Sequence, residues 1–170
     1  HGNSCEFFED ILSIWMTSAC ACCLNEELTD TELENICDFV KPDLLLLGGS
    51  RDKPRAIIDT LAINLSEQLT DKSKASAPLL TNPSLDNPAL VLFTSGTTGT
   101  PKGVVHTYRS IMARIALNQI HIPKSERMIT FCPLPTHFGH GLIGNSLTTL
   151  LDGGDLILGP GGEISAQGKL

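Results

Sequence analysis

One run constrains this chain more than any other: Phe93-Thr94-Ser95-Gly96-Thr97-Thr98-Gly99-Thr100-Pro101-Lys102-Gly103-Val104-Val105. It follows Ala89-Leu90-Val91-Leu92-Phe93, an apolar stretch that reads as a buried strand, and it precedes a helical pattern. The segment between is therefore expected to be a turn from strand to helix. Gly96, Gly99 and Gly103 allow backbone conformations that residues with a Cβ resist, and they remove side chains that would hold the main chain away from a ligand. Thr94, Ser95, Thr97, Thr98 and Thr100 place five hydroxyls in seven positions. Pro101 fixes its own φ and pushes Thr100 toward an extended conformation, so Lys102 leaves a stiffened corner. Converging N–H groups, hydroxyls and one cation are what a polyphosphate requires. The run is not a Walker loop, because Pro101 stands where the second glycine of that pattern belongs, and it contains no Gly-x-Gly dinucleotide fingerprint.

Elsewhere the apolar spacing alternates between the two regular periods. Phe7, Ile11, Ile14, Trp15 and Ala19 predict a helix from Glu6 to about Ala21, with Trp15 in the core. Thr29 and Glu32 form a capping-box pattern that opens a second helix, closed by Pro42. Leu44 to Leu47 reads as a short buried strand, followed by a Gly48-Gly49-Ser50 turn. Pro54 opens a third predicted helix to about Leu69, with Ile57, Ile58, Leu61 and Leu65 on its apolar face. Residues 70–88 turn polar and proline-rich and read as a mobile surface linker. Thr107 caps a predicted helix to about Asn118, on which Arg109 and Arg114 face solvent. Met128 to Phe131 reads as a strand, Pro133 to Gly141 as a loop, Leu142 to Leu151 as a helix, and Leu156 to Leu158 as a strand. Alternating strands and helices indicate an α/β fold with a mostly parallel sheet flanked by helices.

The string Thr94-Ser95-Gly96-Thr97-Thr98-Gly99-x-Pro101-Lys102-Gly103 resembles, without a gap, the phosphate-loop signature of the adenylate-forming superfamily: acyl-CoA synthetases, luciferase and the adenylation domains of peptide synthetases. Gly2-Asn3-Ser4, Leu24-Asn25 and Leu28-Thr29-x-x-Glu32-Leu33 look like that family's early N-terminal region. Pro133-Leu134-Pro135-Thr136-His137-Phe138-Gly139-His140-Gly141-Leu142 looks like its acyl-site motif. The resemblance implies that residues 1–170 are an incomplete N-terminal AMP-binding domain, with the phosphate loop at 94–103, the linker at 70–88 and the C-terminal domain absent. The implied reaction is AMP-forming activation of a carboxylic acid by ATP and Mg2+, followed by thioester formation with CoA. The alternatives are loading of a carrier protein and a non-catalytic nucleotide-binding remnant.

By that resemblance, Lys102 and Thr97 are the catalytic candidates. Thr94, Ser95, Gly96, Thr97, Thr98, Gly99, Lys102 and Gly103 hold the β- and γ-phosphates. Phe138, with Gly141, lines the carboxylate pocket, and His137 or His140 takes the place of Phe138 if the alignment slips. Taken alone, these 170 residues are expected to bind nucleotide weakly and turn over nothing.

The net charge of −7 argues against a nucleic-acid partner. No apolar run reaches the roughly 18 residues of a membrane span. Of the six cysteines, only Cys20 and Cys23 show the Cys-x-x-Cys spacing and no second such motif pairs with it, so the cysteines read as buried free thiols rather than metal ligands, and a reducing cytoplasm is the expected compartment. Strands without partners would leave apolar surface uncovered, with oligomers as one outcome.

Overall fold

A computed structural model describes residues 2–48, 61–64, 82–94 and 102–159. The chain divides into two compact units, one spanning Asn25–Leu79 and the other Gly2–Leu24 with Leu80–Leu170.

In the smaller unit, α2 (Asp30–Val40) starts on the expected capping box. Thr29 Oγ1 accepts from the Glu32 N–H, and a Glu32 carboxylate oxygen accepts from the Thr29 N–H at 2.8 Å. The helix ends where Lys41 takes the left-handed region (φ 51°) ahead of Pro42. Leu33, Ile36 and Cys37 are its buried face. The strand β2 (Leu44–Leu47) pairs in parallel with β3 (Leu61–Asn64), Leu44 opposite Leu61 and Leu47 opposite Asn64. That pairing overturns the expected helix from Pro54 to Leu69 over residues 61–64. The i, i+4 spacing of Ile57, Leu61 and Leu65 fits a helix. Leu61-Ala62-Ile63-Asn64 also fits a strand, and the ladder offered by β2 decides between them. The rest of that helix, the Gly49-Ser50 part of the turn and residues 70–81 of the linker lie outside the described residues.

The larger unit is built on β4 (Pro88–Thr94), which pairs in parallel with β1 (Ala21–Cys23) and antiparallel with β5 (Lys102–Thr107). Ala89 and Leu90 are fully buried. Around them gather Ile11 from α1 (Cys5–Met16), Ile111 and Ile115 from α3 (Tyr108–His121), and Leu142 from a later helix. Trp15 belongs to this packing, as expected: its Nε1–H donates to Ala89 O at 2.7 Å and its ring meets Tyr108 edge-on. The helix α1 ends five residues before the expected Ala21. Ser18 adopts φ 60°, Thr17 and Ser18 turn their N–H groups back on Ile14 and Trp15, and the chain then re-enters as β1. Thr107 caps α3 as anticipated, accepting from the Ser110 N–H.

A second parallel pair, β6 (Ile129–Cys132) and β7 (Asp155–Leu158), is joined by a crossover that carries the candidate acyl loop and a helix. A short helix, α4 (Lys124–Arg127), precedes β6. The crossover helix begins earlier than expected, at His140, and is wide: π-helical over His140–Leu147 before α5 (Thr148–Leu151). Ser146 Oγ donates to Gly141 O at 2.8 Å and Thr148 Oγ1 to Ile143 O at 2.9 Å, both five residues back, which fits the expanded turn. The expected uncovered apolar surface is present on this pair, where Ile129, Phe131 and Ile157 are all exposed. No described helix is long and apolar enough to cross a membrane.

The cysteines divide by position. Cys23, Cys37 and Cys132 are buried as expected, whereas Cys5 and Cys20 are exposed. Burial, with the neighbouring Cys22 and Cys20, pushes the Cys23 thiol up to about 12. Brief iodoacetamide treatment of the folded protein near neutral pH should therefore label Cys5 and leave Cys23 unmodified, because the thiolate is the reacting form. Peptide mass spectrometry reads this directly, and equal labelling of the two would contradict the burial of β1.

Candidate functional site

The glycine–threonine run does not join a strand to a helix. It is the loop of a β-hairpin: Thr94 ends β4, Lys102 begins β5, and the two are cross-strand partners. The sequence reading missed β5 because Lys102-Gly103-Val104-Val105-His106-Thr107 is short and runs straight into the capped helix. Both Thr94 and Lys102 are exposed, at the end of the hairpin where its connecting run begins and ends. Thr94 Oγ1 points to Lys102 O at 3.5 Å, a long contact that ties the two strand ends. Ser95, Gly96, Thr97, Thr98 and Gly99 lie outside the described residues, as do Thr100 and Pro101.

Gly103 has a packing reason to be glycine. It stands opposite Phe93, and a Cβ there would meet Val91 Cγ1 at 3.1 Å and Phe93 Cε1 at 3.5 Å. Its φ is not positive, so the left-handed freedom anticipated from the sequence is not what this position uses.

The second candidate segment leaves the carboxyl end of β6. Its residues divide by exposure: Thr136 is buried, His137 half-buried, and Phe138 half-exposed with its ring 4.3 Å from that of His137. Gly141 belongs to the helix rather than to the loop. A Cβ on it would run into the Pro135 carbonyl oxygen and stand 3.1 Å from Leu134 O, so the first helical turn can cross over the loop only with glycine here. His140, also in that turn, is exposed, with Gly144 against its ring.

The structure brings this loop to the same end of β4 as the hairpin loop. A Cβ on Gly139 would lie 3.1 Å from Leu92 Cδ1, and Leu92 is two residues before Thr94. The helix start at Gly139 thus lies against the carboxyl-terminal half of β4, near the strand end from which the Ser95–Pro101 run departs. Open α/β sheets bind their ligands at such strand ends.

Arg109 and Arg114 are exposed. Arg109 is paired, Nε to Asp86 Oδ1 at 2.7 Å, and its hydrogen bond and charge hold the Asp86 carboxyl below its usual range. The stability this pair adds is present above the ordinary carboxylate pKa and is lost as pH falls through the lowered one. Exposure keeps that contribution small. Among the described residues, no group of three or more His, Cys, Asp or Glu is placed to hold a metal ion.

A family model described as AMP-binding enzyme matches residues 1–167. The chain belongs to this family. Among related proteins, malonate–CoA ligase of Arabidopsis thaliana is 49% identical over 59 residues, which cover 34% of this chain and 10% of that protein. Cyclosporin synthetase of Tolypocladium inflatum is 31% identical over 161 residues, 91% of this chain and 1% of that protein. The solved structure of o-succinylbenzoate CoA synthetase from Bacillus subtilis, in complex with its acyl-adenylate intermediate, superposes with a TM-score of 0.81 at 21% identity, over 96% of this chain and 42% of that one. That last likeness establishes the shared fold. This AMP-binding enzyme chain therefore spans a minor part of the length of each of these relatives.

One residue at the site went unweighed in the sequence. Asn3 lies beside the acyl segment, its amide engaging Leu134, Thr136 and Gly159. In the sequence it figured only as the middle residue of Gly2-Asn3-Ser4, within the family resemblance and without a role of its own.

Proposed function

We propose that this chain is the part of an AMP-forming acid–thiol ligase that grips the departing pyrophosphate and borders the acid. The placement of the Gly139 loop against β4, two residues before Thr94, carries this reading. It supports a reading in which the hydroxyl- and lysine-bearing run that begins at Thr94 works together with the segment bearing His137 and Phe138, as transfer of a carboxylate oxygen to the α-phosphate of ATP requires. The carboxylate attacks that phosphorus, the bond to the β-phosphate oxygen breaks, and pyrophosphate leaves. Negative charge grows on the leaving group, so the Lys102 ammonium and the hydroxyls and amides of Thr94 to Gly99 stabilise the transition state more than bound ATP. Lys102 and Thr97 carry the largest share, and Phe138, His137 and Gly141 border the carboxylate. Mg2+ enters with ATP. Bound in this way it would take its ligands mainly from water and phosphate oxygens and would need no cage of protein carboxylates.

The acceptor in the second half-reaction is a thiol that attacks the acyl carbon and releases AMP. CoA is favoured by the 49% identity to a malonate–CoA ligase over 59 residues. A carrier-protein thiol is the second reading, supported by the longer match to cyclosporin synthetase. Full-length protein incubated with ATP, a carboxylate panel that includes malonate, and either CoA or a phosphopantetheinylated carrier distinguishes the two. Acyl-CoA without acyl-carrier supports the first. ATP–pyrophosphate exchange absent with every acid would remove the activation reading altogether.

A further inference from the structure

Two segments flank the carboxyl ends of the parallel pair β6–β7: the candidate acyl loop after Cys132 and the residue that follows Leu158. One side chain bonds to both. Asn3 Nδ2 donates to Leu134 O at 3.0 Å and to Gly159 O at 3.1 Å, while Asn3 Oδ1 accepts from the Thr136 N–H at 2.8 Å. The backbone beside it adds a fourth tie, Thr136 Oγ1 to Gly2 O at 3.0 Å. Gly159 N–H in turn donates to Cys132 O at 2.8 Å, closing a ring of main chain around the asparagine.

Both amide N–H groups and the amide oxygen thus bond to backbone, at Leu134 and Thr136 on either side of Pro135 and at Gly159 after β7. Aspartate would set a carboxylate against two carbonyl oxygens, and leucine would leave three backbone groups without partners. The residues held this way directly precede His137 and Phe138. Helix constraints fix the other end of the loop, where Leu142 N–H donates to Phe138 O at 2.8 Å.

We infer that Asn3 is a positioning residue for the carboxylate substrate: it fixes the Leu134–Thr136 backbone, and through it the reach of His137 and Phe138 toward the acid. It rests on the activation reading above but adds a residue from the far end of the sequence. It also implies that the acid, rather than ATP, senses the change. A loop displaced by a fraction of an ångström misplaces the acid, and misplacement of that order costs about 10- to 100-fold in rate.

The test uses full-length protein, with ATP–pyrophosphate exchange driven by straight-chain acids from acetate to octanoate and by malonate. For Asn3→Ala and Asn3→Asp, kcat/KM for the best acid should fall about 10- to 100-fold. KM for ATP should stay within about twofold, well under that loss, and the order of preference among the acids should change. Thr29→Ala, which removes a helix cap in the other unit, controls for lost stability and should leave the preference order intact. An unchanged preference order and acid kcat/KM in both Asn3 variants, with the parent active, would overturn this inference and spare the activation reading. Equal losses toward ATP and acid would also overturn it, since they indicate general loosening. A parent inactive with every acid would overturn both.

Discussion

Lys102→Ala in the full-length protein should lower adenylate formation about 10²- to 10³-fold, the usual cost of removing one preorganised donor from a site where charge develops. The structure puts Lys102 at the first position of β5, paired across the hairpin with Thr94, so its Cα is held by a strand although its side chain is exposed. A long exposed side chain rooted at a strand end keeps its ammonium within reach of a leaving group as the bond lengthens. The loss should appear in kcat for ATP–pyrophosphate exchange more than in KM for ATP, because the interaction strengthens in the transition state. Lys102→Arg keeps the charge but changes its shape and should recover only part of the rate. A Lys102→Ala enzyme with an unchanged exchange rate would take the lysine out of the mechanism.

Much of this was legible in the sequence, and the failures have physical causes. The phosphate-loop string was specific enough to give the family, and the capping box at Thr29 and the cap at Thr107 were readable because caps are local hydrogen bonds. The strands β1, β3 and β5 were not. Each is short, and each exists because a neighbouring strand completes its ladder: Ala21 finds Leu90, Leu61 finds Leu44, and Lys102 finds Thr94. Pairing is a property of two segments together, which the periodicity of either one does not carry. The same limit hid the role of Asn3, whose partners lie more than 130 positions away. Gly141 was picked out by its place in a motif, whereas its steric reason, a carbonyl of the preceding loop in the way of any Cβ, became visible only with the backbone in place.

Arg127→Ala should cost about 3–5 kcal/mol of stability, far more than a typical surface charge change. Arg127 is the last residue of α4, and no period in the sequence marks it as interior, yet it is buried. It forms an ion pair with Asp152, the two side chains being 8% and 12% exposed. Its Nε donates to Ile122 O at 2.8 Å and an Nη to Gln119 O at 3.3 Å, so the guanidinium fork also holds two carbonyls from the end of α3. Gln119 Nε2 closes the network by donating to Asp152 Oδ1 at 2.9 Å. Truncation at Arg127 leaves a carboxylate enclosed with one neutral donor and two helix-end carbonyls without theirs. Lysine reaches fewer of these partners at once and should recover only a fraction. The decisive comparison is the double variant Arg127→Met with Asp152→Leu. Removing both charges should restore part of what the single change loses, because the penalty is an unpaired charge rather than a missing contact. Urea denaturation of the four proteins measures it. A loss under about 1 kcal/mol for Arg127→Ala would place the pair in the class of solvent-screened surface bridges and contradict its enclosure between α3 and the turn before β7.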